Sequence, residues 1–187
     1  MAARHGRVVL DLGCGDGRYV LARAAAEPAA LVLGVDANAA GMREAASRAR
    51  RDRLGSALFV VAAAEALPSE LDGLVDELRL HFPWGSLLRG LLTAEERVLS
   101  GMARLMRPGA VATALLSVTA RDASLGLPPL CADTAPALAA AYAAHALALV
   151  EWRQATAAEV AAAHSSWARR LGVGRERDAW LLALARQ

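Results

Sequence analysis

The residues with the clearest chemical potential lie in one glycine-rich turn near the amino terminus. It reads Asp11-Leu-Gly13-Cys-Gly15-Asp-Gly17-Arg18, and it follows an apolar run typical of a buried strand. Glycines at such a turn let the backbone bend tightly and approach a ligand closely. A glycine-rich turn between a strand and a helix is typical of a site for a nucleotide-type cofactor.

The charges in this turn indicate which cofactor it suits. The dinucleotide pattern G-x-G-x-x-G/A needs glycine or alanine where the chain has Arg18. Asp11 and Asp16 would repel a pyrophosphate but attract the ammonium and sulfonium groups of S-adenosylmethionine. Cys14 is interpreted as a small side chain and not as a redox centre. The turn therefore predicts S-adenosylmethionine as cofactor, S-adenosylhomocysteine as product, and no metal ion.

The elements that must position this turn alternate between strand and helix patterns. Helical patterns separate most of the buried-strand patterns, which begin at Val8, Ala30, Ala57, Gly73 and Ala110. Strands that alternate with helices form a parallel sheet with helices on both faces. We therefore predict a single α/β domain over residues 1–187, with a doubly wound, mostly parallel, seven-stranded sheet that binds its ligand at the carboxyl ends of the strands.

The connections and the last third of the chain give further local predictions. We expect a turn at Arg107-Pro-Gly, a strand over Leu147–Arg153, a helix over Thr156–Leu171 and a final strand over Asp178–Ala185. The segment Ser117–Asp133 contains the sequence Gly-Leu-Pro-Pro and is interpreted as an extended linker.

Length and composition exclude several classes of protein. A chain of 187 residues with 56% hydrophobic residues is neither collagen-like nor an acidic disordered chain. Two cysteines exclude a disulfide framework. The first residues lack the apolar core of a secretory signal, and the longest uncharged run, Thr134–Val150, is mostly alanine and contains a proline. We therefore expect a cytoplasmic protein with no membrane span.

Arginines concentrate in two segments of a chain whose net charge is only +2. The sequence has 21 arginines and no lysine. The first segment contains Arg43, Arg48, Arg50, Arg51 and Arg53, and the second contains Arg169, Arg170, Arg175 and Arg177. Local basic clusters predict a surface that binds anions. Two solvated helix faces remain an alternative interpretation of the charge alone.

Two tryptophans lie at the ends of elements near the predicted cofactor edge. Trp84 follows the fourth strand, and Trp167 precedes the second arginine cluster. Aromatic rings stack on bases while guanidinium groups hold phosphates, so this combination suits RNA. Phe82 stands where amino-methyltransferases of nucleic acids place a polar acceptor, which disfavours an exocyclic amine as the target. The remaining tryptophans, Trp152 and Trp180, are interpreted as strand-borne core residues.

The cofactor motifs resemble those of class I methyltransferases. The D-x-G-x-G-x-G arrangement is similar to motif I of that class, and Asp36 ends the second strand where the class has an acidic residue that binds both ribose hydroxyls. After the third strand comes Ala63-Ala-Glu65-Ala-Leu-Pro68, a loop that contacts the adenine ring in similar proteins. Three motifs in register with three strand ends are much stronger evidence than one glycine motif.

Other motifs resemble one family within that class. Phe82-Pro-Trp-Gly-Ser-Leu-Leu, Gly126-Leu-Pro-Pro-Leu and Ser166-Trp-Ala-Arg-Arg-Leu-Gly-Val-Gly-Arg-Glu-Arg177 are similar to the KamB-type aminoglycoside-resistance 16S ribosomal RNA methyltransferases. That family modifies N1 of adenine 1408 in the decoding site of the 30S subunit. The resemblance covers nearly the whole chain. It departs in the few residues before the first strand and in the short linker, where members of the family are longer.

The resemblance assigns roles to individual residues. Trp84 and Trp167 would form the catalytic pair that sandwiches the flipped adenine, and Ser165 would help to fix the second tryptophan. The cofactor-binding set would be Asp11, Gly13, Gly15, Asp36, Ala64, Glu65, Ser86 and Ser165. The RNA-binding set would be Arg43, Arg48, Arg50, Arg51, Arg53, Arg121, Arg169, Arg170, Arg175 and Arg177.

The same resemblance predicts the partner and how it is recognised. The chain would act as a monomer on the 30S subunit, next to helix 44 of 16S rRNA. Its substrate-recognition insertions would span about 82–94, 117–133 and 156–177. Methyl transfer to the N1 lone pair of a neutral adenine requires no prior proton removal, and we expect no histidine–carboxylate pair near the motifs. His81 would line the pocket without acting as a general base.

Two alternative functions remain open from the sequence. A methyltransferase of a small metabolite would share the cofactor motifs but would cover its pocket with an apolar lid. An RNA-binding ribosome assembly factor would keep the fold and lose turnover, which the intact glycine turn and Asp36 argue against.

Overall fold

The computed structural model describes residues 5–118, 122, 126–127, 129–170, 172–173 and 177–187. These residues form a seven-stranded sheet in the order β3-β2-β1-β4-β5-β7-β6. The strands are β1 (Arg7–Leu12), β2 (Ala30–Asp36), β3 (Ala57–Val61), β4 (Val75–His81), β5 (Met106–Leu116), β6 (Leu147–Gln154) and β7 (Trp180–Arg186). Strands β1 to β5 pair in parallel, whereas β7 is antiparallel to β5 and β6. The predicted doubly wound, mostly parallel sheet is confirmed.

Seven helices accompany the sheet within the described residues. They are α1 (Arg18–Ala26), α2 (Ala39–Arg51), α3 (Gly85–Leu92), α4 (Glu96–Leu105), α5 (Ala139–Ala144), α6 (Ala157–Ala162) and α7 (Ser166–Arg170). Short 3-10 helices occupy Ser69–Leu71 and Pro136–Leu138. The sequence prediction missed α3, although Leu87, Leu88, Leu91 and Leu92 recur at helical spacing and form its buried face.

The central strands are buried because helices cover both faces of the sheet. Along β1, Leu10 packs in the cluster that contains α3 and α4, whereas Val9 packs in the cluster that contains α1 and α2. Successive side chains of a strand point to opposite faces, so β1 needs an unbroken apolar run. Because β1, β2 and β3 pair in parallel, their carboxyl ends lie at the same edge of the sheet.

Two local predictions were wrong. Arg107-Pro-Gly is not a turn between elements but part of β5, where the pairing with β4 shifts between Val75 and Glu77. A bulge tolerates a proline because the extra residues do not take part in the ladder. The predicted helix over 156–171 is divided into α6 and α7, and His164 lies between them with a left-handed φ of 49°.

The strand predictions for the last third agree with the structure to within a few residues, whereas the predicted linker Ser117–Asp133 lies partly outside the described residues. Strand β6 begins at Leu147 as expected and β7 begins at Trp180. Among the residues that the structure describes, no helix is long and apolar enough to cross a membrane.

Candidate active site

The glycine-rich turn between β1 and α1 has a backbone that only glycine adopts easily. Gly13 and Gly17 have φ angles of 77° and 68°, in the left-handed region. A Cβ on Gly17 would lie 2.6 Å from the Phe59 ring and 2.7 Å from Ala45. The Gly13 amide donates to the Val35 carbonyl at 2.8 Å, which holds the turn against the end of β2.

Asp36 is fixed at the carboxyl end of β2 by two backbone amides. Its Oδ2 accepts from the Gly15 amide and its Oδ1 accepts from the Asn38 amide, each at 2.8 Å. A carboxylate oxygen has two lone pairs, so each oxygen can accept a further hydrogen bond. No described atom lies within 4 Å of the position that a Cβ on Gly15 would take. A ligand can therefore reach both the backbone and the carboxylate, as a ribose diol requires.

Asp11 forms a buried hydrogen bond with His81, and no such histidine–carboxylate pair was predicted. It is 1% exposed, and its Oδ1 accepts from Nδ1 of His81 at 2.9 Å. The Tyr19 ring packs against His81 with centroids 4.2 Å apart. The expectation of no histidine–carboxylate pair was wrong because the parallel pairing of β1 with β4 brings together residues 70 positions apart. His81 therefore contacts a predicted cofactor carboxylate directly.

The predicted adenine-contacting loop lies beside Asp36. The Ala62 amide donates to the Asp36 carbonyl at 3.1 Å, and Ala64 and Glu65 follow in a partly buried turn. Helix α4 packs behind this turn, since a Cβ on Gly101 would lie 3.3 Å from the Ala64 carbonyl oxygen. Together, the ends of β1, β2 and β3 present a cation-attracting carboxylate, a diol acceptor and an accessible backbone. This donor set fits S-adenosylmethionine.

Cys14 is a packed side chain of the turn. It is 8% exposed, and burial, followed by the charge of Asp11, raises the pKa of its thiol far above the ordinary value. A Cβ on Gly34 would lie 2.9 Å from its Sγ, so the thiol fills space against β2. Within the described ranges, no group of histidine, cysteine, aspartate and glutamate side chains is arranged to hold a metal ion.

Trp84 and Trp167 face each other although 83 positions separate them in the sequence. Their ring centroids are 6.2 Å apart and their planes are inclined by 32°. Trp84 is the residue just before α3 and is 71% exposed, whereas Trp167 lies in α7 and is partly buried. Two layers of van der Waals contact at roughly 3.5 Å each need about 7 Å, close to this spacing. The two indoles therefore form a gap that a planar ring can enter after a small opening.

Helix α7 packs on an apolar cluster that also contains Phe82, two residues before Trp84. Phe82 is 5% exposed and packs in this cluster with Leu115 and Ala168, and Trp167 packs against its edge. Phe82 has a left-handed φ of 53°, and its amide donates to the Leu115 carbonyl at 2.8 Å. The Phe82 side chain therefore anchors α7 from inside the protein, which the sequence did not indicate.

Two adjacent serines connect α7 to its surroundings in different ways. The Ser165 hydroxyl accepts from the Ala168 amide at 3.1 Å and so caps α7. The Ser166 hydroxyl donates to Oδ2 of Asp16, in the glycine turn, at 2.8 Å. The sequence identified Ser165 and missed Ser166, because nothing local shows which loop a serine will meet. Ser86, the other predicted serine, is exposed in the first turn of α3.

The other two tryptophans lie in strands as predicted, and Trp152 packs against the main core cluster, but neither is fully buried. Trp152 and Trp180 stack on each other with centroids 4.7 Å apart and planes inclined by 18°. Both are only partly buried because β6 is the last strand of the sheet. The Trp152 indole donates to the Cys131 carbonyl at 2.9 Å, so this pair anchors the segment that precedes α5.

The arginines of the first predicted cluster are all exposed. Arg43, Arg48, Arg50, Arg51 and Arg53 lie along α2 and just beyond its end. One of them is paired, since Nε of Arg48 lies 3.3 Å from Oδ2 of Asp52.

A cleft of about 1200 Å³ between the α1–α2 side and the α6–α7 side brings the two clusters together. Its lining includes Arg48 from the first cluster, Arg169 and Arg170 from the second, and Arg18, which was not predicted to bind RNA. Arg177 is exposed outside this cleft. Arg121 and Arg175 lie outside the described residues.

Comparison with known proteins gives a consistent result along the chain. The family model described as NpmA: 16S rRNA (adenine(1408)-N(1))-methyltransferase matches residues 1–186. A relative from Streptoalloteichus hindustanus, named 16S rRNA (adenine(1408)-N(1))-methyltransferase, is 36% identical over 186 residues. That match covers 95% of this chain and 86% of the relative.

Solved structures agree with the sequence matches. The structure of the 16S rRNA methyltransferase KamB has a TM-score of 0.88 and 36% identity, covering 100% of this chain and 90% of that one. A variant of the 16S rRNA (adenine(1408)-N(1))-methyltransferase from Catenulisporales acidiphilia, solved with its cosubstrate S-adenosylmethionine, has a TM-score of 0.88 and 33% identity. It covers 99% of this chain and 88% of that one. The predicted class I fold is confirmed.

Proposed function

The chain belongs to the 16S rRNA (adenine(1408)-N(1))-methyltransferase family, and from this membership we propose its reaction. It transfers the methyl group of S-adenosylmethionine to N1 of adenine 1408 in 16S rRNA of the 30S subunit. The product confers aminoglycoside resistance, the property named for the structural relative NpmB1, and a second relative, Kmr, is named for antibiotic resistance. The facing pair Trp84 and Trp167, beside the strand ends that fit the cofactor, is the observation that supports this mechanism most.

The methyl transfer needs little acid–base catalysis. S-adenosylmethionine supplies an electrophilic methyl carbon on a sulfonium, and N1 of neutral adenine supplies a lone pair. The residues of the chain therefore act mainly by positioning, which contributes up to about 7–11 kcal/mol in well-oriented reactions. Asp11 attracts the cationic groups of the cofactor, and the Asp36 carboxylate accepts from its ribose. His81 is not needed as a base, and its Nδ1 is engaged by Asp11.

We infer that Trp84 and Trp167 hold the target adenine between them. Extruding a base from its stack costs a few kcal/mol. Stacking on an aromatic side chain returns about 1–3 kcal/mol per contact, so two indoles can offset the cost. The methylated ring is cationic, and an indole face attracts a cation by about 0.5–2 kcal/mol. The same two rings therefore favour both the extruded base and the charge that develops on it.

The arginines supply the RNA-binding surface in this proposal. The α2 cluster and the α7 arginines would contact phosphates around the target near helix 44, and segments 82–94, 117–133 and 156–177 would contribute the recognition loops. The chain would act as a monomer, since a single copy carries the cofactor residues and both tryptophans. Arg18, Arg169 and Arg170, which line the cleft beside α7 among the described residues, favour RNA over a small metabolite.

The experiment that tests the reaction uses purified 30S subunits, the chain and S-adenosylmethionine. Reverse transcription across the decoding site should stop at adenine 1408, because a methyl on N1 blocks base pairing. Free nucleosides and small amines should take up no methyl group. Methylation of such small molecules with no stop on 30S subunits would instead support the metabolite alternative. Cofactor binding without any methyl transfer would support a ribosome assembly factor.

A further inference from the structure

One side-chain hydrogen bond joins the cofactor turn directly to the helix that carries Trp167. The Ser166 hydroxyl donates to Oδ2 of Asp16 at 2.8 Å, across 150 positions of sequence. The same carboxylate oxygen lies 3.1 Å from Nε of Arg18. A hydrogen bond to a carboxylate is shorter and stronger than one between neutral groups.

Asp16 is fixed to the cofactor edge by the turn in which it lies. Gly15 and Gly17 on either side have φ angles of 56° and 68°. The Gly15 amide donates to Asp36, and the Gly17 amide donates to the Cys14 carbonyl at 2.9 Å. Any adjustment of the turn to a bound cofactor therefore moves the carboxylate that Ser166 contacts.

Helix α7 depends on such contacts for its position. It has five residues, far fewer than an isolated helix needs for stability. Packing of Ala168 against Phe82 fixes its apolar side, and the Ser165 hydroxyl, just before the helix, caps its first turn by accepting from the Ala168 amide. On the polar side, the bond from Ser166 determines how the helix, and with it the neighbouring Trp167, is oriented toward the cofactor turn.

We propose that Ser166 is a positioning residue that couples cofactor binding to the placement of Trp167. Cofactor bound at Gly15 and Asp36 fixes the conformation of the turn and with it the position of the Asp16 side chain. Asp16 accepts the hydrogen bond from Ser166 and so fixes the orientation of the neighbouring Trp167 indole. The coupling is reciprocal, so a correctly placed Trp167 also favours the cofactor-bound turn. The consequence for catalysis rests on the proposed role of Trp167 in holding the adenine.

The test labels the four tryptophans of the full chain with 5-fluorotryptophan and follows their ¹⁹F resonances. Trp167 is assigned with a Trp167→Phe variant used only for that purpose. Saturating S-adenosylhomocysteine, with no ribosome present, should shift the Trp167 resonance in the wild-type chain. The Ser166→Ala variant should bind S-adenosylhomocysteine but lose that shift, because its turn no longer contacts α7.

Further variants separate coupling from simple packing. Ser166→Thr keeps the hydroxyl and should restore the shift. Ser166→Asp places a second carboxylate against Asp16 and should displace Trp167 with or without ligand. The matched control is Ser100→Ala, since Ser100 bonds His145 on another part of the surface and should leave the Trp167 response unchanged. The ¹⁹F chemical shifts of Trp152 and Trp180 should stay well dispersed in every variant that folds.

Methylation of 30S subunits at saturating S-adenosylmethionine gives the second readout. Ser166→Ala should lower kcat about tenfold, the lower range for losing a hydrogen bond to a charged group, while KM for the cofactor changes by less than about threefold. A wild-type Trp167 shift in Ser166→Ala, or a fall in kcat that Ser166→Thr does not restore, would overturn the coupling. Retained methylation by a Trp167→Ala variant would instead contradict the proposed role of Trp167 in holding the adenine and leave the resonance test intact.

Discussion

His81 donates a hydrogen bond from Nδ1 to Oδ1 of Asp11 at 2.9 Å, at the adjoining ends of β4 and β1. Asp11 is almost completely buried, so its charge is stabilised by this partner and not by water. The hydrogen bond uses one oxygen of the Asp11 carboxylate and fixes the orientation of the group. We therefore propose that His81 acts on the cofactor through Asp11.

The first prediction concerns this pair. His81→Leu should lower S-adenosylmethionine affinity about tenfold and destabilise the fold by about 1.5–3 kcal/mol, because a buried charged group loses a hydrogen bond. His81→Asn keeps a donor and should recover most of the affinity. Calorimetry and urea unfolding measure the two effects. His145→Ala is the control, since His145 bonds Ser100 outside the site. Unchanged affinity in His81→Leu would exclude a role for His81 in holding the cofactor carboxylate.

A second prediction tests the glycine turn. Gly17→Ala should reduce the free energy of unfolding by about 2–4 kcal/mol, because it combines a left-handed φ with overlap against Phe59 and Ala45. Gly55→Ala is the matched control, since no described atom lies within 4 Å of the added Cβ there. Urea unfolding of both variants makes the comparison. Equal stability of the two would show that the turn tolerates a side chain.

The turn and Asp36 could be predicted from the sequence because their geometry is local. A strand, a glycine-rich turn and a carboxylate at the next strand end are each encoded within a few residues. The contacts of His81 with Asp11 and of Ser166 with Asp16 could not be predicted. They join residues 70 and 150 positions apart, and they depend on how strands pair and where α7 packs.

The division of the predicted helix over 156–171 has a similar origin. Its alanine-rich sequence favours a continuous helix, but burial of Ala163 and Ala168 against Phe82 requires the chain to turn. His164 provides that turn with a left-handed φ. Tertiary packing therefore outweighs local helix propensity at this point, and the break places Trp167 opposite Trp84.

The two thiols should differ strongly in reactivity. Burial raises the pKa of Cys14, so its thiol stays protonated at pH 8, whereas the Thr134 hydroxyl lowers the pKa of the exposed Cys131. The thiolate is the reactive form. An aromatic disulfide reagent at pH 8 should therefore modify Cys131 rapidly in the native protein and Cys14 only after unfolding. Modification of both thiols at the same rate in the native state would contradict the buried environment of Cys14.

The arginine surface gives a prediction about salt dependence. Arg169→Ala and Arg170→Ala should each weaken 30S binding, and each should reduce the slope of log affinity against log salt by about 0.7–1. The control is Arg97→Ala, an exposed arginine on α4 away from the cleft, which should change neither quantity. Filter binding at several salt concentrations measures the slopes. Wild-type slopes for both cleft variants would favour the solvated-face interpretation.

The central claim is that Trp84 and Trp167 hold the extruded adenine, and it is tested by replacing each with alanine. Both variants should bind S-adenosylmethionine with nearly wild-type affinity by calorimetry. Both should lose the reverse-transcription stop at adenine 1408, because each removes a stacking contact of about 1–3 kcal/mol from the extruded base. A wild-type stop in either variant, or a parallel loss of cofactor affinity and methylation, would contradict the clamp.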